Sequence, residues 1–270
     1  MPTVTVNDVE LYYERRGTGE PLLLIMGMSG NTGHWGEAFL QDLERTFEVI
    51  AYDHRGIGQS AEHWDPFTIR HLADDAVALL DALGLERVHV CGISMGGMVA
   101  QEIAINAPER VRTLTLGCTY CGGPDATFAS EQDMRFLAEA LTSGDRERAL
   151  RAMFAINVSP TYADDPAHWQ EFVERASATP TPQAFIQLQM QAIIGHDAHD
   201  RLGEITAPTL VVHGTLDRML PAGNAQVIAD LIPGARLELL EDIGHCFFWE
   251  APDRSAALIR DLAGAPAGAQ

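Results

Sequence analysis

The feature that most constrains the fold of this chain is a serine within a G-x-S-x-G frame. Ser94 lies in residues 92–96 (GISMG), after a short valine-rich run at residues 87–91 and before small and apolar residues that continue to Ala104. The run before the serine predicts a buried strand, and the stretch after it predicts a helix. The serine therefore falls at a tight strand-to-helix turn, a position typical of a nucleophile. On the pentapeptide alone, an ordinary glycine-rich turn is the alternative.

Two downstream segments offer the partners that a serine nucleophile needs. A serine hydroxyl is a weak nucleophile at neutral pH, so it requires a base within hydrogen-bond reach and an acid that orients the base. Residues 210–217 (LVVHGTLD) predict a buried strand running into a turn that ends in Asp217, the candidate acid. Residues 237–245 (LELLEDIGH) predict a strand and a loop that ends in His245, the candidate base.

Together with the chain order serine, aspartate, histidine, these segments make the chain resemble the alpha/beta-hydrolase family over nearly all of its length. Residues 52–60 (YDHRGIGQS) resemble the family's D-x-R-G-x-G-x-S loop, and residues 207–214 (APTLVVHG) resemble the entry to its acid-bearing strand. Within the family, the chain is similar to 3-oxoadipate enol-lactonases, aclacinomycin methylesterase and small-ester carboxylesterases. The SMGGM run at residues 94–98 is too common to choose among them.

The resemblance also implies an oxyanion hole built from two backbone N–H groups. One belongs to the residue after the nucleophile, Met95, and the other to the loop after the third strand. Aligning Gly27 with the family's His-Gly pair places the second donor on Met28. Met26 stands where many members have histidine, which makes Met28 the weaker assignment, and the methionines predict an apolar, adaptable acyl site.

The order of predicted elements indicates an α/β fold, with a mainly parallel sheet covered by helices on both faces. Predicted strands and helices alternate up to residue 123, whereas residues 124–204 read as helices without strands. We expect a core formed by residues 1–123 and 205–262, a helical cap formed by residues 124–204 after the sixth strand, and a flexible tail at residues 263–270.

Most aromatic and methionine residues of the predicted cap are expected to pack within it, and a minority should face the serine. Which residues form that minority is not readable from the sequence. The candidates for the substrate pocket are Gly27, Met153, Trp169 and Phe247.

Composition favours a single-domain enzyme, and we also expect that it needs no cofactor. The chain has 270 residues, of which 46% are hydrophobic, enough for one large core. The formal net charge of −20 argues against nucleic acid and anionic membranes as partners. The sequence shows no leader pattern and no apolar run of membrane length, so we expect a cytoplasmic protein. Assembly into a homodimer is left as an open alternative.

The cysteines and histidines do not form a convincing metal motif. Cys118 and Cys121 have C-x-x-C spacing, but no second ligand pair accompanies them, and reduced cysteines are expected. The polar segment at residues 196–200 (HDAHD) is interpreted as a helix end or loop. We therefore expect no metal.

These observations predict a serine hydrolase that cleaves a small-molecule carboxylic ester or lactone with water through an acyl-enzyme. A cofactor-free haloperoxidase or perhydrolase, or a carbon–carbon bond hydrolase, would use the same triad. A non-catalytic ligand receptor or a biosynthetic cyclase scaffold is an alternative of another class, because fold does not imply function.

Overall fold

A computed structural model describes residues 2–264, and its centre is one eight-stranded sheet. The strands are β1 (Thr3–Val6), β2 (Val9–Arg16), β3 (Glu20–Ile25), β4 (Phe47–Tyr52), β5 (Val88–Ile93), β6 (Val111–Gly117), β7 (Thr209–Gly214) and β8 (Arg236–Leu240). Their order across the sheet is β1-β2-β4-β3-β5-β6-β7-β8. The β1–β2 and β2–β4 pairs are antiparallel, and every other neighbouring pair is parallel.

Helices follow most of the strands. Outside the β6–β7 connection they are α1 (Glu37–Leu43), α2 (Ile69–Ala82), α3 (Met95–Asn106), α9 (Gly223–Leu231), α10 (Phe247–Glu250) and α11 (Pro252–Gly264). Between β6 and β7 lie α4 (Glu131–Leu141), α5 (Arg146–Asn157), α6 (Pro160–Ala163), α7 (Pro166–Ala178) and α8 (Gln183–Ile194). Short 3-10 turns occupy Thr32–Trp35, Pro108–Arg110 and His199–Glu204.

The central strands are buried on both faces. In β3, Leu23 and Ile25 belong to a core shared with α2 and α3, whereas Leu22 and Leu24 belong to a second core shared with α1 and α11. Successive side chains of a strand point to opposite faces, so an apolar run of this length needs cover on both sides. The two cores confirm the predicted α/β fold with helices on both faces.

The five helices α4 to α8 form the segment between β6 and β7, which confirms the helical insertion after the sixth strand. The name cap is kept for residues 124–204, which contain all five of these helices. Of the expected tail, Ala263 and Gly264 end α11, and residues 265–270 lie outside the described residues. Within residues 2–264, no helix combines the length and the apolar character that crossing a membrane requires.

Candidate active site

Ser94 occupies the turn between β5 and α3 in a backbone conformation that is rare for a serine. Its φ is 53° and its ψ is −124°. Residues held at such angles cost about 1–3 kcal/mol and persist only where neighbours enforce them. Here the Ser94 N–H donates to Gly117 O at 2.8 Å, and the Thr119 hydroxyl donates to Ser94 O at 2.7 Å. The end of β6 thus holds the turn that presents the serine.

The two glycines of the G-x-S-x-G frame are needed because backbones meet there. A Cβ at Gly92 would lie 2.1 Å from Gly96 O, and a Cβ at Gly96 would lie 2.0 Å from Ile25 O. Contacts this short cannot be relieved by a rotamer change, because the neighbouring atoms are backbone. The frame therefore reflects close packing of α3 against β3 and β5.

Asp217 and His245 form a buried pair on neighbouring loops. Asp217 follows β7 and His245 follows β8, and the His245 Nδ1 atom lies 2.7 Å from Asp217 Oδ2. The other carboxylate oxygen accepts the N–H groups of Met219 at 2.8 Å and Leu220 at 2.9 Å. A histidine that directs Nδ1–H at a carboxylate keeps Nε2 free as a base.

A second histidine, which the sequence analysis did not single out, contacts the same carboxylate. The Nε2 atom of His213 lies 3.0 Å from Asp217 Oδ2 and 2.8 Å from Leu220 O. Both neighbours are acceptors, so this nitrogen carries the proton. Its other ring nitrogen is buried and has no hydrogen-bond partner in the described part of the chain. The i, i+4 spacing of His213 and Asp217 was the only sequence signal.

These contacts keep Asp217 ionised. Burial alone would raise the pKa of this carboxyl, but the interaction with His245 and the hydrogen bonds from both histidines outweigh it and hold the pKa well below its usual range. The site therefore keeps a fixed negative charge behind His245, where it can stabilise an imidazolium.

Ser94, Asp217 and His245 follow three different parallel strands, so all three lie at the carboxyl edge of the sheet. Within residues 2–264, the Ser94 hydroxyl makes no hydrogen bond, and the His245 ring bonds only through Nδ1. Hydrogen bonds between nucleophile and base are often long without a substrate and tighten when one binds.

The backbone groups of Met28 and Met95 are free to donate. Met95 is the first residue of α3, and Met28 lies in the loop after β3. Neither N–H makes a hydrogen bond to any residue between 2 and 264. The two segments lie close together, since a Cβ at Gly27 would fall 3.0 Å from Ser94 Cβ. This arrangement suits two donors that converge on a substrate oxygen beside the serine.

The D-x-R-G segment is hydrogen-bonded to the loop that carries Met28. The His54 ring lies with Nε2 3.0 Å from Met26 O, and Asp53 Oδ1 accepts the Thr32 N–H at 2.7 Å. Burial lowers the pKa of His54 to about 4, so the ring is neutral and donates through Nε2. The motif thus anchors the chain on both sides of Met28.

The remaining pocket candidates occupy different surroundings. Met153 and Trp169 are half-buried in the cap, where the Trp169 ring lies 5.7 Å from that of Phe154 and the Arg151 guanidinium lies 4.4 Å from its centre. Phe247 is 1% exposed and packs on Gly117, whose Cβ would fall 2.7 Å from the ring. These contacts indicate packing for Phe247.

The cap is hydrogen-bonded to the loop that carries His245. Glu250 Oε1 accepts the N–H of Gly244 at 2.9 Å and that of Ser159, from the cap, at 3.0 Å. The Cys246 N–H donates to Asn157 O at 2.8 Å. The residues on either side of His245 are therefore both tied to the cap.

The cap also contacts the loop that carries Asp217 and the loop after β3. Arg218, next to Asp217, pairs with Asp133 of α4. In the loop after β3, Ser29 donates its N–H to Gln189 Oε1 at 2.8 Å, and its carbonyl accepts the Thr181 hydroxyl at 2.9 Å. The loops that carry His245, Asp217 and Met28 thus all contact the cap.

Cys118 adjoins the acid and base. Its thiol, a carboxylate oxygen of Asp217 and a ring nitrogen of His245 lie within 4.8 Å of one another, a grouping that could hold a metal ion. Burial raises the pKa of the Cys118 thiol well above its usual range, so the thiol beside the Asp217–His245 pair is protonated at neutral pH in the metal-free protein. Cys91, Cys118, Cys121 and Cys246 are all buried and free of disulfides.

The fold and this site define a class of hydrolases, and the chain belongs to the alpha/beta hydrolase fold family, whose model matches residues 20–252. It is 31% identical over 255 residues to a putative carbamate hydrolase, RutD, of Azorhizobium caulinodans, covering 94% of each chain. It is 30% identical over 277 residues to the rhodomycin D methylesterase DauP of a Streptomyces species, covering 91% of this chain and 92% of that protein.

Among solved structures, the enol-lactonase of Burkholderia xenovorans superimposes with a TM-score of 0.84 at 25% identity, covering 98% of this chain and 100% of that one. The resemblance to lactonases and methylesterases expected from the sequence is thereby confirmed at the level of the family.

Proposed function

We propose that the protein is a serine hydrolase that cleaves a carboxylic ester or lactone by acyl transfer to water. The observation that carries this proposal is the 2.7 Å contact of His245 with an ionised, buried Asp217, at the edge of the sheet where the half-buried Ser94 occupies a turn with a φ of 53°. Burying a charged carboxylate costs free energy. A receptor or scaffold gains nothing from such a charge behind a histidine, whereas a hydrolase uses it to stabilise the imidazolium.

In the proposed reaction, His245 Nε2 takes the Ser94 proton as the hydroxyl oxygen attacks the substrate carbonyl. The negative charge that develops on the carbonyl oxygen is met by the N–H groups of Met28 and Met95. His245 then gives its proton to the alkoxy oxygen as its bond to the carbonyl carbon breaks, which leaves Ser94 acylated; the alcohol departs from an ester and stays attached to the acyl group of a lactone. A water molecule, deprotonated by His245, attacks the acyl carbonyl, and His245 returns the proton to the Ser94 oxygen as the acid is released. Asp217 stabilises the imidazolium in both halves of the cycle.

A carbamate is the second candidate substrate, favoured by the 31% identity to a putative carbamate hydrolase. A carbamate presents the same kind of carbonyl to the serine and the same developing oxyanion to the two N–H groups. Its nitrogen lone pair makes the carbonyl less electrophilic, so the same site would turn it over more slowly than an activated ester.

The test combines covalent labelling with turnover. A fluorophosphonate probe should label wild-type protein at Ser94, located by peptide mass spectrometry, and p-nitrophenyl esters of increasing acyl length, a lactone panel and aryl carbamates should rank the substrates. The Ser94→Ala variant should fold normally, lack labelling and lose nearly all turnover. Wild-type activity in that variant would overturn the serine mechanism, and absence of both labelling and turnover in the wild type would favour a receptor or scaffold.

A further inference from the structure

Gln189 on α8 is a fully buried polar residue of the cap whose amide is only half satisfied. It is 0% exposed, its Oε1 atom accepts the Ser29 N–H at 2.8 Å, and its Nε2 atom has no hydrogen-bond partner within residues 2–264. A buried donor without a partner costs free energy, so an apolar side chain of the same size would suit the packing better. What the glutamine provides is the acceptor for Ser29.

Ser29 is itself unusual. The Gly30 N–H donates to Gly27 O at 3.3 Å, which closes a turn over residues 27–30, and Ser29 occupies its third position at a φ of 60°. Glycine or asparagine is the usual choice at a positive φ in such a turn. Ser29 is held there from the cap, because Gln189 accepts its N–H and Thr181 donates to its carbonyl at 2.9 Å.

The turn contains Met28, the proposed second oxyanion donor. A turn of this size changes type when its middle peptide plane rotates, and here that plane joins Met28 to Ser29. The hydrogen bond from Ser29 N–H to Gln189 fixes the orientation of this plane, which carries the Met28 carbonyl. The Met28 N–H lies in the preceding Gly27–Met28 plane, which is joined to the fixed plane at the Met28 Cα and is therefore restrained through that atom. The unpartnered amide of Gln189 and the positive φ of Ser29 both cost free energy, and they occur side by side near the nucleophile. Such unfavourable features are common at functional sites.

We propose that Gln189 is a positioning residue: through Ser29 it holds the oxyanion loop so that the Met28 N–H faces the carbonyl oxygen in the transition state. This geometry then requires that the cap be packed against the loop. This inference rests on the proposed function. It places the effect of the cap on the transition state rather than only on substrate binding.

The decisive variant is Gln189→Met, which keeps the length of the side chain but removes the acceptor. Loss of a complete oxyanion donor costs about 10²–10³ in kcat, so a loosened donor should lower kcat by about 10- to 100-fold. We expect KM for p-nitrophenyl acetate to change by less than about twofold, since the ground-state carbonyl depends little on the hole. The rate constant for fluorophosphonate labelling of Ser94 should fall with kcat, whereas Tm should change little, because removal of the unpartnered amide offsets the loss of the hydrogen bond to the half-buried Ser29.

Matched variants separate positioning from general damage. Gln187→Met makes the same change at an exposed glutamine of the same helix and should leave kcat, labelling and Tm unaltered. Thr181→Val removes the other bond to Ser29 and should also lower kcat, and Thr181→Ser, which keeps the hydroxyl, should restore it. Wild-type kcat and labelling in Gln189→Met, or a loss no greater than the loss of folded protein, would overturn the proposal. Failure of the wild type to label would instead refute the proposed function on which it rests.

Discussion

Gly96 and Ile25 meet backbone to backbone, since a Cβ at position 96 would fall 2.0 Å from the Ile25 carbonyl oxygen. The contact joins the start of α3, whose first residue is Met95, to the end of β3, which is followed by the loop that carries Met28. We predict that Gly96→Ala lowers the free energy of unfolding by about 3 kcal/mol or more, because neither backbone can yield without moving the turn. Urea denaturation measures this change.

Gly203→Ala is the matched control for that substitution. The nearest atom to a Cβ there is Leu231 O at 3.9 Å, an ordinary contact. Its free energy of unfolding should stay within about 0.5 kcal/mol of wild type. Equal stability of the two variants would show that the short contact at Gly96 does not constrain the fold.

Asp217→Asn should separate folding from catalysis. The amide can still occupy the buried site, but it has no charge to stabilise an imidazolium, so we expect kcat for a p-nitrophenyl ester to fall by about 10⁴. Asp242→Asn alters an exposed residue on the His245 loop and should leave kcat unchanged. A small effect of Asp217→Asn would assign the acid to another carboxylate.

His213→Phe tests the second histidine on the carboxylate. The phenyl ring cannot donate to Asp217 Oδ2 or to Leu220 O, and a buried acceptor left without its donor costs about 1–3 kcal/mol. We expect that loss in the free energy of unfolding, with kcat reduced about tenfold as the carboxylate gains freedom to rotate. His213→Gln, whose amide nitrogen reaches a similar position, should recover most of both. If His213→Phe matched wild type in stability and kcat, the contact would be incidental.

Two buried histidines predict a loss of stability in mild acid. Burial lowers the pKa of His54 and of His196 to about 4 in the folded protein, against 6.5 for an unperturbed histidine. The unfolded chain therefore takes up these protons first, and the stabilisation present above pH 6.5 is lost progressively as the pH falls towards 4. Each histidine should lower the free energy of unfolding by about 2 kcal/mol between pH 8 and pH 5.

Urea denaturation at pH 8, 6 and 5 measures this dependence. In His196→Gln the titrating group is absent, so the decline over the same interval should be shallower by the share of one histidine. A free energy of unfolding that stays level between pH 8 and pH 5 would contradict the buried neutral state of both rings.

The elements that local patterns specify were predictable from the sequence. The strand before Ser94, the helix after it, the two-sided burial of β3 and the helical insertion follow from periodicity and glycine placement, which act over a few residues. Asp217 was reached from the strand and turn that lead to it, and Met28 through resemblance to a family. His213 was overlooked because its spacing of four residues from Asp217 is common by chance, and a histidine inside an apolar strand does not show what its ring will contact.

Contacts that depend on distant parts of the chain were out of reach. Gln189 and Ser29 are 160 positions apart, and nothing in the α8 sequence separates Gln189 from the exposed Gln187 and Gln191 beyond their position around the helix. Which cap side chains face the serine is a question of the same kind, since the answer depends on how α4 to α8 settle on the sheet.

The bonds from the cap to Ser29, Arg218, Cys246 and Glu250 have a consequence for protein engineering. In a chimera that combines this sheet with the α4 to α8 segment of a relative, the loops that carry Met28, Asp217 and His245 would all face foreign partners. Such a graft would lose rate before it gained a new substrate, unless Ser29, Arg218 and Glu250 were exchanged with it. Specificity in this scaffold is therefore inherited as a set of matched pairs and not as a detachable module.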